Sequence, residues 1–377
     1  MFEGFVGNIL LLLLLTNTPV AAITLQAWQY EGIITIRYDG SIDPPFAPIL
    51  SYDHFTYVLT SDTTCSIVVE RNDIVLNGNG HALFSTAIPD GVTTIGITAS
   101  NVSNVTIKNM EIRSFYESIR LEYCSGCNIV GNSMSDNHNA GVSLAESYDS
   151  NVTGNRITGG NIGVGFSGIN NIVSGNNIID NDFGIYSYYS KNESIIDNTI
   201  TNNNNGVWLS SSTGVCITGN DIENNTICGI ASESSFNNTI YHNNIVNNTC
   251  QHTTYDSVNL WDNGYPSGGN YWSDYVGMDE KAGADQNELG SDTIGDAPYE
   301  VDAINKDRYP LMKPWSILAS DLNRDRTVNV LDLTIVATAF GSISGEPEYN
   351  AVADLDKNRA INIIDVSIVA KDFGKTN

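Results

Sequence analysis

Positive charge is scarce in this sequence. Seventeen Lys and Arg stand against 43 Asp and Glu, a net charge of −26, and so acidic a chain repels a bare phosphate backbone, which argues against nucleic acid as a partner. Long apolar runs are equally few. Ile9 to Leu15 is unbroken but too short to span a bilayer, and no later segment is long and apolar enough to cross one. The middle of the chain also lacks the periodicity of amphipathic helices, leaving short strands and turns as its building material. The five histidines, at 54, 81, 138, 242 and 252, are dispersed, so no His cluster offers itself as a metal site.

What is present begins with an export signal. The apolar run and the small residues Val20, Ala21 and Ala22 read as a signal peptide over residues 1–22, or, if uncleaved, as an N-terminal anchor. Either reading sends the protein to the outside of the cell or to its surface. Oxidising surroundings permit disulfides. The six cysteines include a CSGC pair, Cys124 and Cys127, and two residues 22 positions apart, Cys228 and Cys250.

The middle of the chain repeats. In NIVGNSM, NVTGNRI, IVSGNNI, SIIDNTI, CITGNDI and TIYHNNI the shared Asn falls at 132, 155, 176, 198, 220 and 243, and Met110 takes that place in an earlier copy. Apolar residues keep fixed offsets around it: Ile107, Ile129, Val152, Val173, Ile195, Ile217 and Ile240 three before, Ile112, Met134, Ile157, Ile178, Ile200, Ile222 and Ile245 two after. A period near 22 with short strands predicts a single-stranded parallel β-helix, one coil per repeat, with coils about 4.8 Å apart. Gly141, Gly163, Gly184, Gly206 and Gly229 each open a second strand, after a turn expected to need unusual dihedrals. The Asn columns, including Asn137, Asn181, Asn203, Asn225 and Asn248, are expected to stack as amide ladders. Cys228 and Cys250, at nearly equal offsets in successive coils, are expected to meet as a disulfide.

With Ile185, Ser187, Val207 and Leu209 pointing inward, Tyr186, Tyr188 and Trp208 face outward on adjacent coils. Flat aromatic rings on a sheet suit the apolar face of a sugar, so these three are the candidate carbohydrate-binding residues. Trp261, Tyr265, Tyr271, Trp272 and Tyr275 then crowd the place where the last coil would expose its interior.

The chain ends in two spaced runs of oxygen ligands. DLNRDRTVNVLD offers Asp321, Asn323, Asp325, the Thr327 carbonyl, Asn329 and Asp332; DLDKNRAINIID, 33 residues on, offers Asp354, Asp356, Asn358, the Ala360 carbonyl, Asn362 and Asp365. Alternate residues of a tight loop converge on one hard cation, and the twelfth position closes the shell from the following helix, so two Ca2+ sites are predicted. Each loop leads into a helix that ends in Phe-Gly.

Two family resemblances follow from these motifs. The leading segment SIVVERNDIVLNGNGHAL, the repeats, and the closing segments WDNGYPSGGNYWSDYVG, IGDAPYEVD and DRYPLMKP resemble the right-handed parallel β-helix proteins of the NosD type. That resemblance implies a role in copper-site maturation, as in the founding members, or carbohydrate binding and sugar hydrolysis, as in the wider class. The tandem loops resemble a type I dockerin module, with Asp rather than Glu at position 12 and one helix after each loop. This implies two Ca2+ ions and docking to a cohesin-like or cell-surface scaffold partner. Arg326 and Arg359 depart from the usual Gly, and Val330, Leu331, Ile363 and Ile364 replace the usual polar recognition pairs.

The expected organisation is therefore all-β with a small α-helical module. It comprises a signal over 1–22, a cap and first coils over 23–100, repeats over 101–260, a closing segment over 261–315 and the dockerin-like module over 320–375. The expected function is an exported β-helix that binds a polysaccharide or other surface polymer and is docked through calcium loops. A polysaccharide hydrolase or lyase on the same fold is the alternative, although neither the paired-Asp constellation of galacturonase-like hydrolases nor the Arg motif of pectate lyases is found. Delivery of copper is the second alternative. Candidate copper ligands are the CSGC pair with Cys216, Cys228 and Cys250.

Overall fold

The computed structural model describes residues 32–86, 94–315, 318–323 and 327–375. The export signal of residues 1–22, Asp325 and Arg326 lie outside the described residues.

Each repeat folds into one coil of three strands, as in Phe183–Tyr188, Ser194–Ile196 and Thr199–Thr201. Stacked coils form three sheets of eleven, nine and eleven strands, parallel except where Ile42–Asp43 and Ile49–Leu50 turn back at the N-terminal end. The two offset columns predicted from the repeat are in direct register, Ile195 on Ile217 and Ile200 on Ile222. A third column, Ile119, Val142, Val164, Ile185, Val207 and Ile230, completes the interior, and every one of its members is fully buried. Burying such side chains contributes about 1.5–3 kcal/mol each. The chain is thus a right-handed parallel β-solenoid of about 22 residues per coil, with two short C-terminal helices.

The regular spacing of glycine has a different cause from the expected turn. None of Gly141, Gly163, Gly184, Gly206 and Gly229 has positive φ. At Gly184 a Cβ would lie 2.6 Å from the Gly206 carbonyl oxygen and 2.7 Å from Ile200 Cγ2, and at Gly206 it would lie 2.5 Å from the Gly229 carbonyl oxygen. Close approach between coils, not dihedral freedom, excludes a side chain there. The left-handed corners fall instead to Asp180, Asn202, Asn224 and Asn247, residue types that tolerate that region.

The Asn columns form directional ladders. Asn176 donates from its backbone N and from Nδ2 to Asn198 Oδ1, both at 2.9 Å, and Asn198 repeats this to Asn220. Nδ2 also satisfies a carbonyl of the preceding coil, such as Val152 O from Asn176 at 2.8 Å. A second ladder runs Asn181, Asn203, Asn225, Asn248. Asn137 stands apart from it, because Gly160 occupies the next rung and supplies no side chain; Asn137 Oδ1 accepts from Ser118 instead.

The closing segment seals the last coil with Trp261 and Trp272, both buried, and Trp272 stacks on Tyr299 at 4.1 Å. Beyond it, α1 (Val330–Thr338) and α2 (Ile363–Asp372) pack around Val328, Val336, Ala339, Ala353, Ile361 and Val369. The two halves exchange backbone: Gly341 N donates to Ile361 O and Gly374 N to Val328 O, the same contact displaced by 33 residues.

Candidate functional site

The second terminal loop gathers its carboxylates. Ligand oxygens of Asp354, Asp356 and Asp365 lie within 4.8 Å of one another. Asp365 is positioned by a capping box: its Oδ2 accepts from Asn362 N and its Oδ1 from Leu355 N, both at 2.8 Å. That box fixes the helix start and turns the twelfth-position carboxylate back into the loop. Asp354 accepts from Tyr349 OH at 2.7 Å, which, with the Arg359 and Asn358 amides, holds its carboxyl below the usual range. Asn358 contacts Asp356 at 2.7 Å, and Asn362 caps α2 through Oδ1 while its amide meets the Ala360 carbonyl. Arg359 takes φ +70°, the left-handed conformation that the usual Gly would supply more easily.

The first loop repeats this frame. Asp332 accepts from Leu322 N at 2.7 Å and Asn329 N at 2.8 Å, and Asn329 caps α1 while its amide meets the Thr327 carbonyl. Asp321 is buried beside it, and Asn323 donates its backbone N to Asp332. In the second loop an all-oxygen set with three carboxylates fits a hard divalent cation, and Asp354, Asp356 and Asp365 would hold one such as Ca2+.

On the solenoid, the outer face of the long sheet carries the aromatics. Tyr186 is paired directly with Trp208 on the next coil, and Tyr188 is exposed, while Ile185, Ser187, Val207 and Leu209 are fully buried beneath. Two further rings, not anticipated from alternation, complete the patch. Phe183 lies 5.5 Å from both Tyr186 and Trp208, and Tyr189 lies 4.4 Å from Tyr188, which itself stacks on Tyr186. Tyr189 escapes the alternation because it sits at a left-handed corner, φ +48°. The outward column continues from Tyr186 to Gly165 and Ser143, then Arg120, whose guanidinium chelates buried Glu117 at 2.7 and 2.8 Å. Asn139 adds a contact to Glu117 at 2.8 Å.

The cysteines are all free thiols among the described residues. Cys228 and Cys250 lie on adjacent coils, Gly229 N donating to Cys250 O, and burial together with the Cys250 sulfur pushes the Cys228 thiol up. Cys124 and Cys127 are both fully buried at one corner of a coil.

A family model described as periplasmic copper-binding protein (NosD) matches residues 62–277. The chain belongs to the NosD family. Its C-terminal residues 319–374 match the dockerin type I domain, consistent with the two loop-helix units. No curated protein matches this NosD family member. Solved structures align with parts of the chain at low identity. A double mutant of the periplasmic alginate epimerase AlgG is 15% identical over 51% of this chain, at TM-score 0.36, and the present chain spans 64% of its length. Pectate lyase Pel9A is 15% identical over 56% of this chain and 70% of its own, TM-score 0.42. An alginate lyase from Paenibacillus sp. str. FPU-7 is 10% identical over 57% and 93% of the two chains, TM-score 0.34.

Proposed function

We propose that this protein is an exported glycan-binding solenoid, held in place by a calcium-loaded dockerin module. The observation that carries the reading is the unbroken run of five rings, Phe183, Tyr186, Tyr188, Tyr189 and Trp208, on one outer sheet face. A single scattered aromatic needs no ligand; a contiguous patch of this kind on a protein of net charge −26 is an amphipathic platform for a sugar's apolar face. Arg120 lies along the same column as Tyr186, three coils away, and its half-buried guanidinium, braced by buried Glu117, offers donors to sugar hydroxyls. The charge on Arg120 is already met by Glu117, so a neutral polymer suits the face better than a polyanion.

The docking face would centre on the two equivalent apolar pairs at the helix starts, Val330 with Leu331 and Ile363 with Ile364, which are 63%, 55%, 67% and 49% exposed. Such pairs fit a cohesin-like partner with an apolar rather than hydroxyl-rich contact surface. No helix among the described residues is long and apolar enough to cross a membrane, so attachment through this module suits a secreted or surface protein.

The test is affinity electrophoresis of the parent and a Trp208→Ala variant in gels containing neutral or acidic polysaccharides. Loss of one stacking ring should weaken retention by about 1 kcal/mol, roughly fivefold, on the polymer that retards the parent. Equal retardation of both proteins on every polymer would remove the reading.

A further inference from the structure

Two cysteines stand directly opposite one another at the end of the long sheet. Cys250 N donates to Ile227 O at 3.1 Å, and Cys250 O accepts from Gly229 N at 2.8 Å, so both backbone neighbours of Cys228 bond to Cys250. That pattern makes Cys228 and Cys250 partners on adjacent coils, and Ile230 with His252, just beyond them, keeps the same register. Opposed residues of parallel strands project their side chains from the same face, about 4.8 Å apart at Cα. Both thiols also take the same direction along their strands: Cys228 Sγ lies 3.3 Å from Ile230 O, and Cys250 Sγ 2.8 Å from His252 O.

The fold does not ask for sulfur at this column. On the preceding coils it carries Ala140, Ile162, Phe183 and Asn205, and thiols take it only on the last two rungs. The other cysteines are placed differently. Cys124 and Cys127 belong to a single coil, Cys216 faces Thr239 on the next rung, and Cys65 is buried near the N-terminal end.

Exposure within the pair is unequal, Cys228 being 3% exposed and Cys250 open to solvent. Cys250 leads into His252–Tyr255, the terminal strand of the long sheet. The second amide ladder ends around it: Asn248 Nδ2 donates to Gln251 Oε1 at 2.9 Å, and Gln251 Nε2 donates to Ser273 Oγ of the closing segment at 2.7 Å. A covalent tie at Cys250 therefore holds an edge strand, a ladder end and the attachment of the closing segment together.

We propose that Cys228 and Cys250 close as a disulfide that clasps the last coil of the solenoid to the one before it. A Cα separation of about 4.8 Å falls inside the range a disulfide spans, about 4.4–6.8 Å, so closure needs no shift of the backbone. A small disulfide, oxidised glutathione, serves as the oxidant. The exposed Cys250 thiolate attacks one of its sulfurs, forming a mixed disulfide and releasing one glutathione thiolate. Cys228, deprotonated, then attacks Cys250 Sγ, forming the Sγ–Sγ bond and expelling the second glutathione thiolate. Two cysteine thiols are oxidised, one oxidant disulfide is reduced to two thiols, and the two cysteine protons pass to the released thiolates.

The experiment treats the folded full chain with oxidised glutathione, blocks remaining thiols with N-ethylmaleimide under denaturing conditions and cleaves after glutamate. Cleavage at Glu193, Glu223, Glu233 and Glu280 puts Cys216, Cys228 and Cys250 on separate peptides, 194–223, 224–233 and 234–280. The expected result is a linked mass of 224–233 with 234–280 that separates on reduction. Glutathione adducts alone on Cys250, or linkage of Cys250 to Cys216, overturns the assignment. The clasp should also raise the urea midpoint of the oxidised chain above that of the reduced chain, and Cys228→Ser/Cys250→Ser should abolish the difference. A linked chain without that gain overturns the clasp. Neither measurement bears on glycan retention by the aromatic face.

Discussion

Replacing Asn198 tests whether the amide ladder is directional. The residue is buried in the middle of its ladder, with Oδ1 accepting from Asn176 N and Nδ2, and Nδ2 donating to Val173 O and Asn220 Oδ1, all four at 2.9 Å. In Asn198→Ala the Asn176 amide N–H and the Val173 carbonyl lose partners inside the solenoid. Asn220 Oδ1 keeps the bond from the Asn198 backbone, and Asn176 Nδ2 keeps Val152 O. Two orphaned buried groups at about 1–3 kcal/mol each give an expected loss of about 3 kcal/mol. Asn198→Asp preserves the acceptor but turns a carboxylate oxygen toward Val173 O and Asn220 Oδ1, with no proton to offer either at about pH 8. It should cost at least as much as alanine, despite being nearly isosteric. Urea unfolding followed by far-UV dichroism reads both, as a shift in midpoint at constant slope. An alanine effect below about 1 kcal/mol, or an aspartate milder than alanine, would refute the directional ladder.

Two further outcomes follow from the buried and clustered carboxyls. Glu193 is fully buried among ladder amides, accepting from Asn171 N at 2.5 Å, and burial raises its pKa from 4.5 to about 7. A raised acid contributes stability that is complete below the unfolded value and is lost as pH rises through the folded one. The parent should therefore weaken between about pH 4.5 and 7 by up to about 3 kcal/mol relative to Glu193→Gln, seen as a pH-dependent gap in urea midpoint; parallel curves would contradict the assignment. Chelation of Ca2+ should leave Asp354, Asp356 and Asp365 repelling one another and unfold the α1–α2 module while the solenoid persists. Helical dichroism near 222 nm and limited proteolysis read this, and a protease-resistant tail in excess chelator counts against the calcium loops.

Much of the solenoid was legible because its period is fixed. Once the shared Asn is aligned, Ile195, Ile217 and Ile240 must stack, and the observed register follows. The duplicated loops were legible for the same reason, since two copies 33 residues apart carry the same capping frame. What the sequence did not disclose depends on distances between coils. Gly184 reads as a turn residue until the next carbonyl is seen 2.6 Å from its missing Cβ. Phe183 and Tyr189 join the aromatic face because one precedes the strand's alternation and the other sits at a left-handed corner, where alternation stops predicting direction. Tyr349, which braces Asp354, lies outside the loop motif and carries no spacing signal.

The ladders also explain why the closing segment is acidic and amide-rich as well as aromatic. Each Asn points its backbone N–H and one Nδ2 hydrogen toward the C-terminal end, so a rung that donated onward at the last coil would aim buried N–H groups at nothing. The final partner must accept. The first ladder ends with Asn270 N donating to Asp307 Oδ2 at 2.7 Å, and that carboxylate takes Trp272 Nε1 and Tyr309 N besides. The second ends on Gln251, whose Oε1 receives Asn248 Nδ2 at 2.9 Å. A third ladder, in which Asn238 donates from its backbone N and Nδ2 to Asn259 Oδ1, passes from Asn259 to Asn305 and on to Asp302. Full burial pushes the Asp307 pKa up to about 7 even though three N–H groups favour its anion, so the terminating acceptor stands in conflict with its own desolvation. Trp261 and Trp272 cover the apolar interior, and the terminal acceptors satisfy the directional amides. A coil added beyond Asn243 without moving Asp307 would break this termination.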